Sequence, residues 1–282
     1  MATAARDRFV VRALGEIAAR RGLGHDVEAG GWLVRVGDGH RHLEVFGYQL
    51  SLNTAVAAAL ARDKAAATAR LAADSLPVVP AELILRDDRQ GWVDGRTARA
   101  AFDDVLSRVS PPVVVKPNEG TSGADVHRAD DPVAAWAAVQ DLLGPEPSVV
   151  VQPLVAVVAE ERWVLLGDEP VLRYAKAPAP GDGSLPMFNL ALGATITSWG
   201  VDEGTDEGRD LATRARRSLG LAVAAIDLLT DDAGRVAVME VNSGWSFEHL
   251  VRALPAARPD AVTAYEAALD VALGRRPLEG AG

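Results

Sequence analysis

Apolar residues recur three and four positions apart along residues 8–21 (RFVVRALGEIAARR), and the run stops at Gly22 and Gly24. That period predicts an amphipathic helix with a glycine stop. The spacing then changes. Residues 32–36 and 41–46 are short strand-like runs around Gly37-Asp38-Gly39, which predicts two strands and a turn. Residues 53–74 form an Ala-rich stretch with helical spacing, closed by Leu76-Pro77, and a strand-like run follows at Glu82–Leu85. Residues 97–109 carry a helical period again. Val113-Val114-Val115, led in by two prolines, is the strongest strand signal in the chain, and a Gly-rich loop follows at Glu119–Gly123.

In the second half, Pro132–Leu143 reads as a helix, and Val149-Val150-Val151 and Trp163–Leu166 read as strands. Val171–Ala175 would pair with the latter across Gly167-Asp168. Residues 177–200 are low in charge and rich in Gly and Pro, which predicts a long loop with short strands; such loops in compact domains often carry function. Asp206–Leu219 is a helix ending at Gly220. Ala222–Leu229 and Val236–Val241 are strands around the turn Asp231–Gly234, and Pro259–Leu273 is a closing helix. Short strands interleaved with helices, several of them in hairpins, predict a mixed α/β or an α+β fold with antiparallel pairs toward the C-terminal half.

Composition narrows the function. The net charge is −10, with the acidic excess spread along the chain. A nucleic-acid binder needs a basic face, so none is expected as partner. The absence of cysteine excludes disulfides, thiolate zinc and a Cys nucleophile. The first residues lack a signal-peptide core and no apolar window has membrane-spanning length, so a cytoplasmic protein without a membrane partner is expected.

Four clusters carry candidate chemistry. Lys116 ends the Val113–Val115 strand, and the loop after it could wrap anionic oxygens with successive backbone N–H groups; a solvated turn is the plain alternative. Asp63-Lys64 lies in the Ala-rich helical stretch, where surface decoration is the ordinary reading. Asp227, in the strand AAIDLL, and Glu240 and Asn242, at the end of VAVMEVN, would meet if the two strands pair. Glu240 and Asn242 are two apart and share a face. An oxygen-only set suits Mg2+, which takes one or two carboxylates plus substrate phosphates; a pair of edge-strand carboxylates facing water is the plain alternative. Finally, Glu160, Arg162, Arg173 and Lys176 flank the hairpin 163–175, where a cross-strand salt bridge is the alternative.

The order of these pieces resembles the ATP-grasp superfamily over residues 47–253: Asp63-Lys64, Lys116-Pro117 with its loop, Val151-Gln152-Pro153-Leu154, Glu160-x-Arg162, Asp227, and Glu240-x-Asn242. Within it, the chain is most similar to the ribosomal-protein glutamate ligase and cyanophycin-synthetase-like branch, whose basic segment and Gly-Asp-Gly the stretch Leu172–Gly183 (LRYAKAPAPGDG) resembles. D-alanine–D-alanine ligase is a more distant match.

The resemblance implies two α+β lobes sandwiching ATP. It divides the chain into an abbreviated N-terminal substrate region (1–60), a helical linker (61–112), a small lobe (113–155) and a C-terminal lobe with the metal site (156–282). It also implies residue roles. Lys64 and Lys116 would contact ATP phosphates, with Glu119, Gly120, Thr121, Ser122 and Gly123 closing over them. Gln152, Pro153, Leu154 and Val155 would sit at the adenine, Glu160 at the sugar, and Asn189 on the nucleotide side. Arg162, Arg173 and Lys176 would face the γ-phosphate or an acyl-phosphate. Asp227, Glu240 and Asn242 would hold Mg2+ or Mn2+.

The implied activity is ATP-dependent amide or peptide-bond formation between small amino-acid-like or peptide substrates. Intramolecular ring closure, modification of a peptide tail, and a nucleotide-binding regulatory module without turnover are the alternatives. A homodimer is compatible with the sequence. Three departures bear on the substrates. The often acidic hinge position holds Gln152, Met187 and Phe188 replace an arginine before Asn189-Leu190, and Ser-Gly-Trp-Ser-Phe-Glu-His follows Asn242. Apolar surface in place of that arginine predicts at least one substrate with a neutral side chain; the alternative is that Met187 and Phe188 pack in the core and an arginine from elsewhere, such as Arg252, meets an acid. Trp245–His249 would form the opposite wall, with Glu248 receiving an ammonium group.

Overall fold

The computed structural model describes residues 7–120, 125–179 and 188–280, whose strands form three antiparallel sheets. The first is a meander of β1 (Gly24–Glu28), β2 (Leu33–Gly37), β3 (His42–Phe46) and β4 (Gln49–Leu50). Its inward residues Val34, Val36, Leu43 and Val45 are fully buried. They share a core with Leu14 and Ile17 of α1 (Phe9–Arg21), which ends on Gly22 in the left-handed conformation (φ 64°), as expected of a glycine stop.

Helices α2 (Ala55–Arg62) and α3 (Lys64–Ala73) occupy the stretch expected to be one helix. The break is at Asp63, an extended residue whose carboxylate accepts the Ala66 N–H at 2.9 Å and so caps α3. Alanine spacing cannot show such a break, because Ala suits every helical position. The second sheet then draws on β5 (Glu82–Leu85), β6 (Val113–Pro117), β7 (His127–Ala129) and β8 (Ser148–Pro153), in the order β5-β8-β6-β7. Between β5 and β6 lie α4 (Asp87–Asp94) and α5 (Ala98–Arg108), and α6 (Pro132–Leu143) precedes β8. Helix α4 escapes a sequence reading because it holds Gly91 and buries only Gln90, so it has no apolar stripe. One face of this sheet, with Ile84, Val113, Val115, Val149 and Val151, packs on α5 and α6.

The third sheet has the order β11-β10-β9-β12-β13 and comprises β9 (Val157–Leu166), β10 (Glu169–Ala177), β11 (Thr195–Trp199), β12 (Val223–Asp231) and β13 (Val236–Asn242). Side chains alternate between its two faces. One set, including Val164, Tyr174, Val223 and Ala225, joins the core of the first sheet. The other, including Trp163, Leu165, Ile226 and Leu228, packs against α2, α3 and α7 (Asp206–Ser218). Two further helices follow, α8 (Glu248–Ala253) and α9 (Arg258–Ala272), and α9 lies against α1. Among the described residues no helix is long and apolar enough to cross a membrane.

Candidate active site

Strand register assembles the site. Asp227 lies opposite both Arg162 on β9 and Glu240 on β13, Ala225 lies opposite Asn242, and Lys176 on β10 lies opposite Glu160. Residues opposite one another share a face, so Glu160, Arg162, Lys176, Asp227, Glu240 and Asn242 all project to one side of the large sheet. Arg162 forks onto Asp227 with Nε and Nη2 at 2.7 and 2.6 Å, and the Asn242 amide donates to the same carboxylate at 3.2 Å. Lys176 donates to Glu160 and stands 3.7 Å from Asp227.

Asp227 is 1% exposed. Burial alone would raise its pKa, but the charges of Arg162 and Lys176 hold the carboxyl below its ordinary value. Burial also opposes the Arg162 charge, and Asp227 outweighs it, so the guanidinium is held more firmly protonated than usual. At Glu160 the balance tips the other way. Burial and the neighbouring Asp227 charge push its carboxyl up to about 7 despite Lys176.

Arg173 does not join this group. An uninterrupted hairpin from the pairs Glu169–Leu166 and Pro170–Leu165 would set Arg173 opposite Arg162. The register slips by one residue between Pro170 and Leu172, so Arg173 lies opposite Trp163 instead. A slip of one turns a side chain to the other face. There Arg173 donates to Glu161 at 3.0 Å and to the Ser198 hydroxyl at 2.6 Å, and it is buried.

The small sheet faces the charged cluster with its other side. Lys116 pairs with Val150 and Val114 with Gln152, opposite in sense to the valines packed on α5 and α6. Burial draws the Lys116 ammonium below its ordinary pKa, with Glu240 opposing and Lys64 reinforcing the shift. Lys64 is the first residue of α3. Its ammonium donates to the Gly120 carbonyl at 2.8 Å and stands 3.7 Å from Glu240. Asn118 holds the two elements together, accepting the Ala65 N–H on its side chain and the Lys64 N–H on its carbonyl. Glu119 is exposed, 3.6 Å from Arg62, while Thr121, Ser122 and Gly123 lie outside the described residues.

The hinge runs from β8 into β9. Gln152 is buried and its amide donates to the Val79 carbonyl at 3.3 Å, Pro153 pairs with Val113, and the Leu154 N–H donates to the Pro112 carbonyl. Val155 accepts the Val157 N–H. Asn189 caps the short turn Leu190–Leu192 beside α8.

The wall expected beyond Asn242 is not a wall. Trp245 and Phe247 are buried with Tyr265 in the core, and Glu248 accepts the Phe9 N–H at 2.6 Å. Phe188 is buried as well, and Met187 lies outside the described residues. His249 is half-buried on α8, and burial together with Arg252 and Arg162 draws its imidazole pKa down against Glu248. One residue that sequence reading passes over is Asn53. Its amide donates to the carbonyls of Val223 and Ser243, and its oxygen accepts the N–H groups of Ala222 and Val223. It thereby ties the start of β12 to the turn after Asn242. An Asn in a loop of a single sequence carries no signal of this.

The donor set fits a hard divalent cation. Asp227, Glu240 and Asn242 offer oxygens from adjacent positions on one face, without nitrogen or sulfur. No cluster of three or more His, Cys, Asp or Glu with ligand geometry occurs among the described residues, so such an ion would complete its shell with water or phosphate.

A small antiparallel sheet presenting a lysine and a Gly-rich loop, set over a larger sheet presenting acids, an asparagine and cations, defines the ATP-grasp class. The chain belongs to the RimK-like ATP-grasp domain family, whose profile matches residues 61–255. It is 38% identical over 143 residues to a probable alpha-L-glutamate ligase of Xanthomonas axonopodis pv. citri (strain 306), covering 50% of this chain and 46% of that protein. Probable alpha-L-glutamate ligase 2 of Shewanella frigidimarina (strain NCIMB 400) is 33% identical over 156 residues, 55% of this chain and 50% of its own. The chain thus spans about half the length of these curated relatives.

Among solved structures, D-cycloserine synthetase DcsG superposes with a TM-score of 0.55 at 24% identity, over 74% of this chain and 71% of that one. D-alanine–D-alanine ligase from Bacillus anthracis gives 0.54 at 16% identity, over 75% and 69%. Both likenesses are likenesses of fold.

Proposed function

We propose that the protein is an ATP-dependent carboxylate–amine ligase, cytoplasmic, joining small amino-acid-like or peptide substrates through an acyl-phosphate and releasing ADP and phosphate. One observation carries this reading: Arg162, Lys176, Asp227, Glu240 and Asn242 share one sheet face, and Lys116 of the small sheet and Lys64 at the start of α3 both interact with Glu240. The curated relatives are called glutamate ligases, which agrees with the bond type.

A carboxylate reacts with amines only after one of its oxygens becomes a leaving group. In the proposed reaction a substrate carboxylate oxygen attacks the γ-phosphorus, and the bond to ADP breaks. The amine then attacks the acyl carbon, loses a proton and expels phosphate. Lys116 and Lys64 would hold the polyphosphate. Arg162 and Lys176 would take the charge spread over the transferring oxygens, where cationic donors fixed in advance count most. Asp227, Glu240 and Asn242 would hold Mg2+ or Mn2+, which when bound supplies further charge neutralisation at the phosphoryl group. Glu119–Gly123 would exclude water that otherwise hydrolyses the acyl-phosphate.

The test is an ADP-release screen across amino acids and dipeptides, with mass spectrometry of the products. ADP that appears only with both an acid and an amine, together with a condensed product, is expected. A Mg-ATP thermal shift without ADP release under any pairing would defeat the ligase reading in favour of a regulatory nucleotide-binding module.

A further inference from the structure

On the sheet face that carries the charged cluster, β10 changes character two residues at a time. Leu172 lies in the core opposite Val164, Tyr174 lies opposite Arg162, and Lys176 lies opposite Glu160. Tyr174 therefore stands on the border between apolar core and charged cluster. The residue is 3% exposed, and it belongs to the core shared with the first sheet. As cross-strand neighbours, Tyr174 and Arg162 have Cβ atoms about 5 Å apart. The Lys176 ammonium stands 5.9 Å from the centre of the Tyr174 ring.

A buried tyrosine ordinarily places its hydroxyl on a partner. Tyr265 does so, donating to the Trp245 carbonyl at 3.4 Å. Among the described residues the Tyr174 hydroxyl has no such partner, and it is not one of the enclosed unpaired polar atoms, such as His25 Nε2 and Arg209 Nε. The ring is thus fixed in the core while the hydroxyl keeps contact with open space. The charged groups beside it are engaged with each other, Arg162 with Asp227 and Lys176 with Glu160.

Resting on the ligase reading, we propose that Tyr174 is a catalytic residue whose hydroxyl donates to the reacting carboxylate of the substrate, at the oxygen that does not attack phosphorus. That oxygen becomes the carbonyl oxygen of the acyl-phosphate. When the amine attacks, the C–N bond forms and the carbonyl π pair moves onto this oxygen. The pair returns as the C–O bond to phosphate breaks. Tyr174 keeps its proton throughout and lends only a hydrogen bond, which strengthens as the oxygen gains charge. A donor held rigidly before the charge develops is worth most at that moment. The hydroxyl carries no net charge, so unlike a further cation it offers the phosphates no long-range competing site and acts only at hydrogen-bond distance.

The test is hydroxamate formation from amino acids and dipeptides with Mg-ATP and hydroxylamine, a small amine that captures an acyl-phosphate, with ADP release read in parallel. Tyr174→Phe removes the hydroxyl and keeps the ring. It is expected to lower kcat about a hundredfold. The KM for the acid should change far less, as befits an interaction that grows in the transition state. Melting temperature, and Mg-ATP affinity by calorimetric titration, should stay at wild-type values. Tyr174→Met fills the site with another apolar side chain and repeats the measurement if Tyr174→Phe does not fold. A folded variant with wild-type kcat overturns the assignment, as does a fall in kcat that comes with an equal loss of stability or of ATP affinity. Failure of both variants to fold also overturns it, by making the hydroxyl a structural group. Wild type that yields neither ADP nor hydroxamate with any acid defeats the ligase reading itself, and the role of Tyr174 falls with it.

Discussion

Two arginine–carboxylate pairs sit on opposite faces of the large sheet, a strand apart. Arg162 and Asp227 lie on the face that carries Lys176, Glu160 and Glu240 around them. Arg173 and Glu161 look the other way, sealed by Trp163, Ser198 and the segment leading into α7. Chemically the two pairs are alike. Arg162 has charged neighbours of both signs, whereas among the described residues Arg173 is held by Glu161 and Ser198 beside the Trp163 ring. A motif that names an arginine does not say which kind it is; the face does.

That contrast yields three tests, taken by size of effect. Arg173→Met should strand Glu161 in a part-buried place and lower unfolding stability by about 3–5 kcal/mol, while the folded fraction keeps its Mg-ATP affinity. Chemical denaturation and calorimetric titration would read the two separately. A large loss of affinity with stability intact would move Arg173 into the site. Next, Glu240→Gln should lower turnover at least about a hundredfold, because it removes charge at the metal position, with little change in melting temperature. Full turnover of that variant in EDTA would end the metal assignment. Smallest, Gly204→Ala would place a methyl 2.3 Å from the Trp163 ring beside Arg173. Overpacking there should cost about 1–3 kcal/mol of stability and leave the kinetic constants unchanged. A loss of activity without loss of stability would show that the two faces communicate.

The hydrophobic pattern made much of the site legible. Val113–Val115 running into Lys116 is a strand delivering a lysine, and AAIDLL against VAVMEVN brought Asp227 to Glu240, as the register bears out. Arg173 shows where such reading stops. Its face depends on a single slip between Pro170 and Leu172, and two-residue alternation carries no record of it. Asp63 within the Ala-rich stretch is similar, since a cap is a matter of one backbone angle and one hydrogen bond. Trp245 and Phe247 failed as a substrate wall because aromatic residues after a functional strand serve a core equally well, and α9 supplies that core from residues far along the chain.

Asn53 has a consequence for how the protein can be dissected. The family match begins at residue 61, yet the turn that follows Asn242 is fastened from outside it, by the Asn53 amide and by the Tyr48 carbonyl that receives the Trp245 N–H, which approaches so closely that a methyl added at Gly244 would lie 2.4 Å from it. On the far side, Tyr265 of α9, also beyond the match, donates to the Trp245 carbonyl. The border drawn by sequence similarity therefore runs through a mechanical joint rather than around it. Swapping the first sixty residues for those of a relative would replace Tyr48 and Asn53 together and change the seating of the turn after Asn242, so the N-terminal region and the end of β13 are not independently exchangeable parts of this chain.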